Sequence, residues 1–378
     1  MSRPRAFPVV VAGFSAFLDL YATQPLLPFL ARTFHASNFA VSLTVTAPTL
    51  AVALAAPAVG RLADRVGLRR TIVLSSFALA LATALGATAG SLEQLIFWRF
   101  AQGLVSPGIF SIAIAYIHEE WPAAKAGSAT AAYVGGTVVG GFTGRALTGV
   151  LTSAVSWQSS FAMLSVLNFA AAAIIWWRLP EERRRVKVAD GSAARMFATH
   201  VRNRLLLATY VAGFCILCSQ IAMFTYVTFH LAAPPFGLST AALGWIFATY
   251  LLGAAVTPVA GLWIDRFGLR AAFIVAVAVG IGAAALTLAP SLTLILAGLA
   301  LFGTSVFVTQ AVASSHVAVN AAEGRGFAIG LYATCYYVGG SVGSAVPALM
   351  WGAGGWPACV AFVVAVQLVM LSIAGLLW

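Results

Sequence analysis

Apolar residues in this chain run in stretches broken by short polar punctuation, and the stretches are close to the ~20 residues that a helix needs to cross a hydrocarbon core of about 30 Å. The pattern predicts helical spans at roughly 7–30, 40–60, 71–90, 93–116, 128–151, 159–178, 204–229, 240–260, 271–289, 293–316, 326–350 and 357–378. Barrel strands would instead alternate polar and apolar residues over short segments, and no such alternation is present. SLEQ, PSLT and GAGGWP read as turns between spans. The longest interruption, LPEERRRVKVADGSAARMFATHVRNR, divides six helices from six. The expected organisation is therefore an all-α membrane protein of twelve transmembrane helices in two six-helix bundles, 1–178 and 204–378, joined by a cytoplasmic linker at 179–203.

Composition agrees with that medium. Of 378 residues, 61% are hydrophobic and 8% charged, where a soluble domain carries about 25% charged residues. The net charge of +11 is a topology signal. All lysines and arginines except Arg32, Arg99 and Arg145 fall in the amino terminus, in the loops leading from even to odd helices, or at their edges. By the positive-inside rule, both termini are expected in the cytoplasm. The basic run of the linker is a solvated segment against anionic headgroups rather than a nucleic-acid patch. Arg3 and Arg5 ahead of an apolar run resemble a signal peptide, but Asp19 interrupts the run, no small-residue cleavage site follows in good position and eleven more spans come after it.

Cys215, Cys218, Cys335 and Cys359 all lie inside spans and read as packed thiols, since a redox or metal role needs accessible thiolates and further ligands. There is no H-E-x-x-H, G-x-x-x-x-G-K-[ST] or G-x-S-x-G, and no soluble domain for a nucleotide. No enzyme activity, metal or cofactor is expected, and transport has to draw on a gradient.

The chain repeats itself. GRLADRVGLRR, Gly60 to Arg70, returns as GLWIDRFGLRA, Gly261 to Ala271, each copy between the second and third helix of its half. YVGGTVVGG from Tyr133 is echoed by YVGGSVGSA from Tyr337, each in the fifth helix of its half. Repeated bundles of this kind characterise secondary transporters, whose substrate sites lie near the midplane at the repeat interface.

On these residues the chain resembles the major facilitator superfamily over its full length. Gly60, Asp64, Arg65, Gly67 and Arg69 are similar to that superfamily's loop signature, with Leu68 where a basic residue is usual, and Gly261, Asp265, Arg266 and Gly268 repeat it. The glycines permit a tight turn, and Asp64 can accept backbone N–H groups at a helix start or pair with a neighbouring arginine. The resemblance implies a gating role, locking the bundles together on the cytoplasmic side; the alternative is a charged turn that fixes topology. In FWRFAQGL, Arg99, Gln102 and Gly103 resemble the fourth-helix motif of the twelve-helix drug–proton antiporter group, whose arginine takes part in proton coupling. Gly127, Gly136, Gly140 and Gly144 match the spacing of that group's fifth-helix glycine motif, with Gly141 in place of its proline and Arg145 in place of its final glycine. YATQPLLPFL and GGFTGR look most like the acriflavine-sensitivity branch. Small residues at this spacing also let helices pack closely, and a close-packed fifth helix can act as seal or pivot.

One acid stands apart. Asp19 lies about 12 residues, or roughly 18 Å, from the cytoplasmic end of its span, near the midplane, where an ionisable group costs several kcal/mol and marks a path or a partner. The other nine acids lie at an outer helix end, Glu93, or in cytoplasmic loops and their edges. Helices one, four, seven and ten line the central cavity in the superfamily, so the resemblance places Asp19 and Arg99 on one wall, with Arg99 as counter-charge for proton coupling. A static ion pair between two helices is the alternative. Arg145 could snorkel to the headgroups or join Arg99 in holding an anion. Candidate cavity residues are Tyr21, Gln24, Gln102, Arg145, Gln220, Tyr226, Tyr250, Thr309, Gln310, Tyr332 and Tyr336, each of which could equally be a packed or interfacial side chain. The expected function is export of small organic molecules across the cytoplasmic (inner) membrane by a monomer through proton antiport with alternating access; its partners are a small-molecule substrate, protons and the bilayer, with no nucleic acid. The alternatives are organic-anion symport or uniport, and a non-transporting receptor.

Overall fold

The computed structural model describes residues 6–182, 200, 202–321 and 325–378. Most of the expected linker lies outside them, as do the side chains of Gly261 and Asp265. The first half is built from α1 (Phe7–Thr33), α2 (Asn38–Val66), α3 (Leu68–Ala87), α4 (Leu92–Glu120), α5 (Ala123–Ala154) and α6 (Trp157–Arg178). The second is built from α7 (Arg204–Ala232), α8 in pieces (Thr240–Trp245, a 3-10 turn at Ile246–Ala248, and Thr249–Phe267), α9 (Leu269–Leu286), α10 (Leu292–Asn320), α11 (Arg325–Ala345) and α12 (Pro347–Leu377). Among the described residues, nine of these helices are long and apolar enough by themselves to cross a membrane. α12 consists of two helical pieces that meet at a kink, where Gly354 and Gly355 leave the helical conformation with φ of −162° and 62°.

Short polar residues start the helices. Ser37, Ser91, Ser156, Asn203 and Ser239 each accept a backbone N–H of the first turn through the side-chain oxygen. In SLEQ the cap is reciprocal: Gln94 N donates to Ser91 Oγ, and Gly90 N to Gln94 Oε1 over 2.8 Å. Gly67 and Gly268, with φ of 104° and 82°, make the tight turns before α3 and α9 that the repeated motif predicts. Large apolar side chains such as Trp177, 79% exposed, face outward, as helices in lipid require.

Contacts group the chain into two compact units, one holding α1 to α6 with Leu238–Phe247, the other holding α7 and the rest of the second half. In the first, α5 lies along the backbone of α1: a Cβ at Gly136, Gly140 or Gly144 would meet the carbonyls of Val10, Phe14 or Leu18. Gly127 departs from the expected packing role, because nothing lies within 4 Å of where its Cβ would be. In the second unit Gly339 and Gly343 meet the carbonyls of Phe214 and Cys218. Gly13 faces Tyr133 and Gly213 faces Tyr332. The structural counterpart of Tyr133 is therefore Tyr332, not the Tyr337 of the sequence echo, because glycines at four-residue spacing look alike in more than one register. Gly140→Val is expected to destabilise the protein by about 1–3 kcal/mol through overpacking against backbone, and Gly127→Ala to stabilise it by about 0.5–1 kcal/mol. Thermal unfolding in detergent measures both.

Candidate functional site

Prolines open the site. Pro25 cannot donate to the carbonyl of Tyr21, and Gln24 N turns to that carbonyl instead of Leu20 O. Helix Phe7–Leu20 ends there, the chain passes through a 3-10 turn at Gln24–Leu26, and Leu27–Thr33 resumes the span. The expected first span was continuous; the break falls one residue after Asp19. In α2, Pro48 likewise leaves the carbonyl of Thr44 without its i+4 donor.

Arg99, on α4 and 0% exposed, collects the freed carbonyls of Leu20 and Thr44 together with that of Asp19, which also accepts from Ala22 N at 3.0 Å. Arg99 Nη1 donates to Asp19 O at 2.7 Å, Nη2 to Leu20 O at 2.6 Å and Nε to Thr44 O at 3.0 Å. Nη1 also donates to Gln102 Oε1 at 2.6 Å, one turn along the same helix. Each carbonyl is a partial negative charge, and together they solvate the guanidinium where water does not reach. The expected pairing with the carboxylate is not what forms: Arg99 reaches residue 19 through its backbone oxygen. Among the described residues the ion pair present is Arg69 Nη1 with Glu181 Oε1, at 3.8 Å.

The Asp19 carboxyl, 1% exposed, turns into its own bundle. Oδ2 accepts from Asn168 Nδ2 of α6 at 2.6 Å and from Thr83 Oγ1 of α3 at 2.8 Å. Among the described residues Oδ1 has no hydrogen-bond partner. Ser15 Oγ donates to Asn168 Oδ1 at 2.8 Å, which leaves the amide N–H side for Asp19. The Thr83 hydroxyl has one hydrogen and two acceptors at the same distance, Asp19 Oδ2 and Leu79 O, both at 2.8 Å. It also accepts from Gln102 Nε2 at 3.0 Å. A continuous chain thus runs Ser15–Asn168–Asp19–Thr83–Gln102–Arg99.

Arg145 does not extend to the end of α5. It is 6% exposed, with Nε donating to Gln24 Oε1 at 2.8 Å and Nη1 to Gly141 O at 2.7 Å. The guanidinium carbon lies 4.9 Å from the Tyr21 ring centroid and 4.7 Å from that of Phe247, in the segment grouped with the first unit. A planar cation held between two ring faces is an arrangement that arginine makes and lysine does not. Arg145→Lys is therefore expected to impair transport as much as Arg145→Gln, with protein yield retained; near-normal uptake by both would leave this cluster without a part in transport.

The remaining candidates scatter. Tyr250 packs on Phe224 at 4.4 Å and edge-on to Phe307, and Tyr332 donates to Gln310 Oε1 at 2.8 Å while stacking on Tyr336 at 6.1 Å, which makes an aromatic and amide cluster in the second unit. Tyr226 and Thr309 return their hydroxyls to backbone carbonyls, Ser344 O and Val306 O. Gln220 is part-exposed on α7. In the signature loop, Gly60, Asp64 and Arg65 are exposed, and the acid at the start of α3 is Glu182 rather than Asp64: its Oε2 accepts from Arg69 N at 3.2 Å. Arg69 in turn donates to Leu179 O and Trp176 O, each at 2.6 Å, capping the end of α6. Its counterpart Arg270 does the same at the end of α12, on Gly375 O at 2.6 Å, while Arg266 is exposed.

Thr83, Asn168, Ser15 and Thr44 were not singled out by sequence. Asn168 offered a signal, a lone amide in the apolar run AMLSVLNFAAAAII, and Pro48 marked the carbonyl of Thr44. Thr83 offered none, because a threonine in a membrane helix commonly bonds its own backbone.

The geometry matches a known architecture. In solved structures the chain resembles a mutant of the nucleoside transporter NupG, with a TM-score of 0.81 and 12% identity over 98% of both chains. It is 30% identical to the uncharacterized MFS-type transporter YybF of Bacillus subtilis (strain 168) over 99% of this chain and 93% of that protein. It is 29% identical to the inner membrane transport protein YnfM of Escherichia coli (strain K12) over 96% and 88%, and 28% identical to the multidrug efflux protein YfmO of Bacillus subtilis over 65% and 61%. The family model described as Major Facilitator Superfamily matches residues 9–239 and 214–378. Twelve helices in two repeated halves, broken around a buried carboxylate and guanidinium, thus belong to a multi-pass membrane transporter, and the chain is a member of the major facilitator superfamily.

Proposed function

We propose that this transporter exports small organic molecules across the cytoplasmic membrane in exchange for protons, and that Asp19 carries the proton. The observation that carries the proposal is the half-ligated carboxyl: Oδ2 is held by Thr83 and Asn168, while Oδ1 is buried and makes no hydrogen bond among the described residues. An ionised carboxylate there lacks a direct guanidinium partner, and a proton on Oδ1 removes the buried charge. Thr83 can turn its hydrogen to Leu79 O when the carboxyl is neutral and back when it is ionised. That turn is felt by Gln102 and, through it, by Arg99, which clamps the break in α1. Proton state and the conformation of the broken helix are thereby linked, as antiport by alternating access requires. The name of YfmO supports an efflux role. The halves 1–178 and 204–378 act as the moving bodies of a monomer with both termini cytoplasmic, and the Gly60–Arg70 loop gates the cytoplasmic side.

A second reading is organic-anion transport, favoured by two buried guanidinia, Arg99 and Arg145, against one buried carboxylate. Purified protein in lipid vesicles separates the two. Ethidium is expected to accumulate in vesicles with an acidic lumen, with proton release from the lumen, and to stop when a protonophore collapses the gradient. Benzoate uptake without ethidium uptake would favour the second reading, and no proton movement with either probe would overturn the first.

A further inference from the structure

A second buried polar cluster lies in the other unit. Gln367 on α12 is 1% exposed; its Nε2 donates to Ser219 Oγ on α7 at 3.3 Å, and its Oε1 has no hydrogen-bond partner among the described residues. Gly280 on α9 leaves space beside that oxygen, since a Cβ there would lie 3.4 Å from it and 2.7 Å from Ser305 Oγ.

The helix contacts give this cluster a register. In the first unit Gly140 and Gly144 lie against the carbonyls of Phe14 and Leu18, and Gly13 against Tyr133. In the second, Gly339 and Gly343 lie against Phe214 and Cys218, and Gly213 against Tyr332. The three contacts match one for one, so Leu18 corresponds to Cys218, Asp19 to Ser219 and Ser15 to Cys215. The amides match as well: Asn168 on α6 donates to Asp19, and Gln367 on α12 donates to Ser219. The two versions read Ser15–Asn168–Asp19 and Cys215–Gln367–Ser219. In the first, Ser15 satisfies the amide oxygen at 2.8 Å. In the second a thiol stands at that position, a weak donor, and the amide oxygen is orphaned.

We infer that the second unit carries a latent counterpart of the carboxylate cradle, able to hold one protonatable group at position 219 and one hydrogen-bond donor at Gln367 Oε1, and that serine at 219 confines proton coupling to the first unit. The statement about coupling rests on Asp19 as the proton carrier; the cradle itself does not. No Asp, Glu, Lys or Arg lies inside α7, α9, α10, α11 or α12 away from their first turns. The titratable groups nearest along α7 are Cys215 and Cys218, with Cys359 on α12 and the tyrosines of α11, while His230 sits in the last turn of α7 and His316 four residues before the end of α10. A carboxyl at 219 would therefore titrate against its amide partner and not against another charge.

Two measurements test this on the full chain in lipid. In infrared spectra, Asp19→Asn removes the buried protonated-carboxyl band, and Asp19→Asn with Ser219→Asp is expected to restore one that shifts when Gln367→Leu is added. In the same vesicles, ethidium accumulation driven by an acidic lumen should recover at least about tenfold over Asp19→Asn alone. A carboxyl that ionises like one in water, or ignores Gln367→Leu, overturns the cradle; a restored band without recovered accumulation overturns the statement about coupling. A restored band with no pH-driven ethidium accumulation in the unmodified protein leaves the cradle standing and removes the antiport reading instead. Should the double variant not fold, Cys215→Ser alone decides: the hydroxyl should raise the unfolding temperature by a few degrees by reaching Gln367 Oε1, with no rise in a Gln367→Leu background. A fall, or a rise that persists without the amide, overturns the register.

Discussion

Asp19→Asn is expected to reduce pH-driven accumulation to the level of empty vesicles while the protein still folds and still exchanges substrate across the membrane in the absence of a proton gradient. The asparagine oxygen can take the place of Oδ2 and accept from Thr83 and Asn168. Its amide nitrogen then stands where Oδ1 had no partner, a donor without an acceptor, which costs about 1–3 kcal/mol and lowers stability without unfolding a two-bundle protein. What is lost is the exchangeable proton. The check is a pair of assays on one preparation: ethidium counterflow at equal pH on both sides, and accumulation driven by an acidic lumen. Retained counterflow with lost accumulation assigns Asp19 to coupling; full accumulation by the variant would remove it from the mechanism and leave a structural tie between α1, α3 and α6.

Arg99→Lys should cost nearly as much as Arg99→Ala. A planar fork reaches Asp19 O, Leu20 O and Thr44 O in three directions, plus Gln102 Oε1, and an ammonium with three donors on a flexible stem cannot serve all of them. Asp19 O keeps a bond from Ala22 N at 3.0 Å and Thr44 O one from Thr23 Oγ1 at 3.4 Å, so Leu20 O is the carbonyl that loses its donor. A buried carbonyl left unsatisfied costs about 1–3 kcal/mol, and truncation to alanine should cost that much and lower the unfolding temperature in detergent. The double variant distinguishes a clamp from an ion pair. If Arg99 chiefly neutralised the carboxylate, adding Asp19→Asn would restore most of the stability lost in Arg99→Ala. With the guanidinium on backbone oxygens, most of the loss should persist in the asparagine background. Restoration by Asp19→Asn would return Arg99 to the role of counter-charge. Transport should fail in both single variants, since the break in α1 is no longer held.

The same few residues divide what a one-dimensional reading reaches from what it misses. Hydropathy is a local property of the chain, so the twelve spans, the long interruption after the sixth and the singular position of Asp19 are legible without coordinates. The tight turns at Gly67 and Gly268 are legible because positive φ favours glycine, and the repeat states the requirement twice. Pro25 and Pro28 carried a signal for the break in α1, and Pro48 one for the carbonyl of Thr44, but hydropathy alone reads the first span as continuous, and the break emerged only in the structure. Partner choice is another matter. Asp19 and Arg99 share a wall in the sequence reading, yet the carboxyl turns inward to Thr83 and Asn168 while the guanidinium takes the carbonyls. A helix that is apolar all round carries no polar stripe to say which side faces its own bundle. Which side chain meets which was therefore decided only in the tertiary structure, by glycines that let α5 close on the backbone of α1 and by the requirement that every buried carbonyl freed by a proline find a donor.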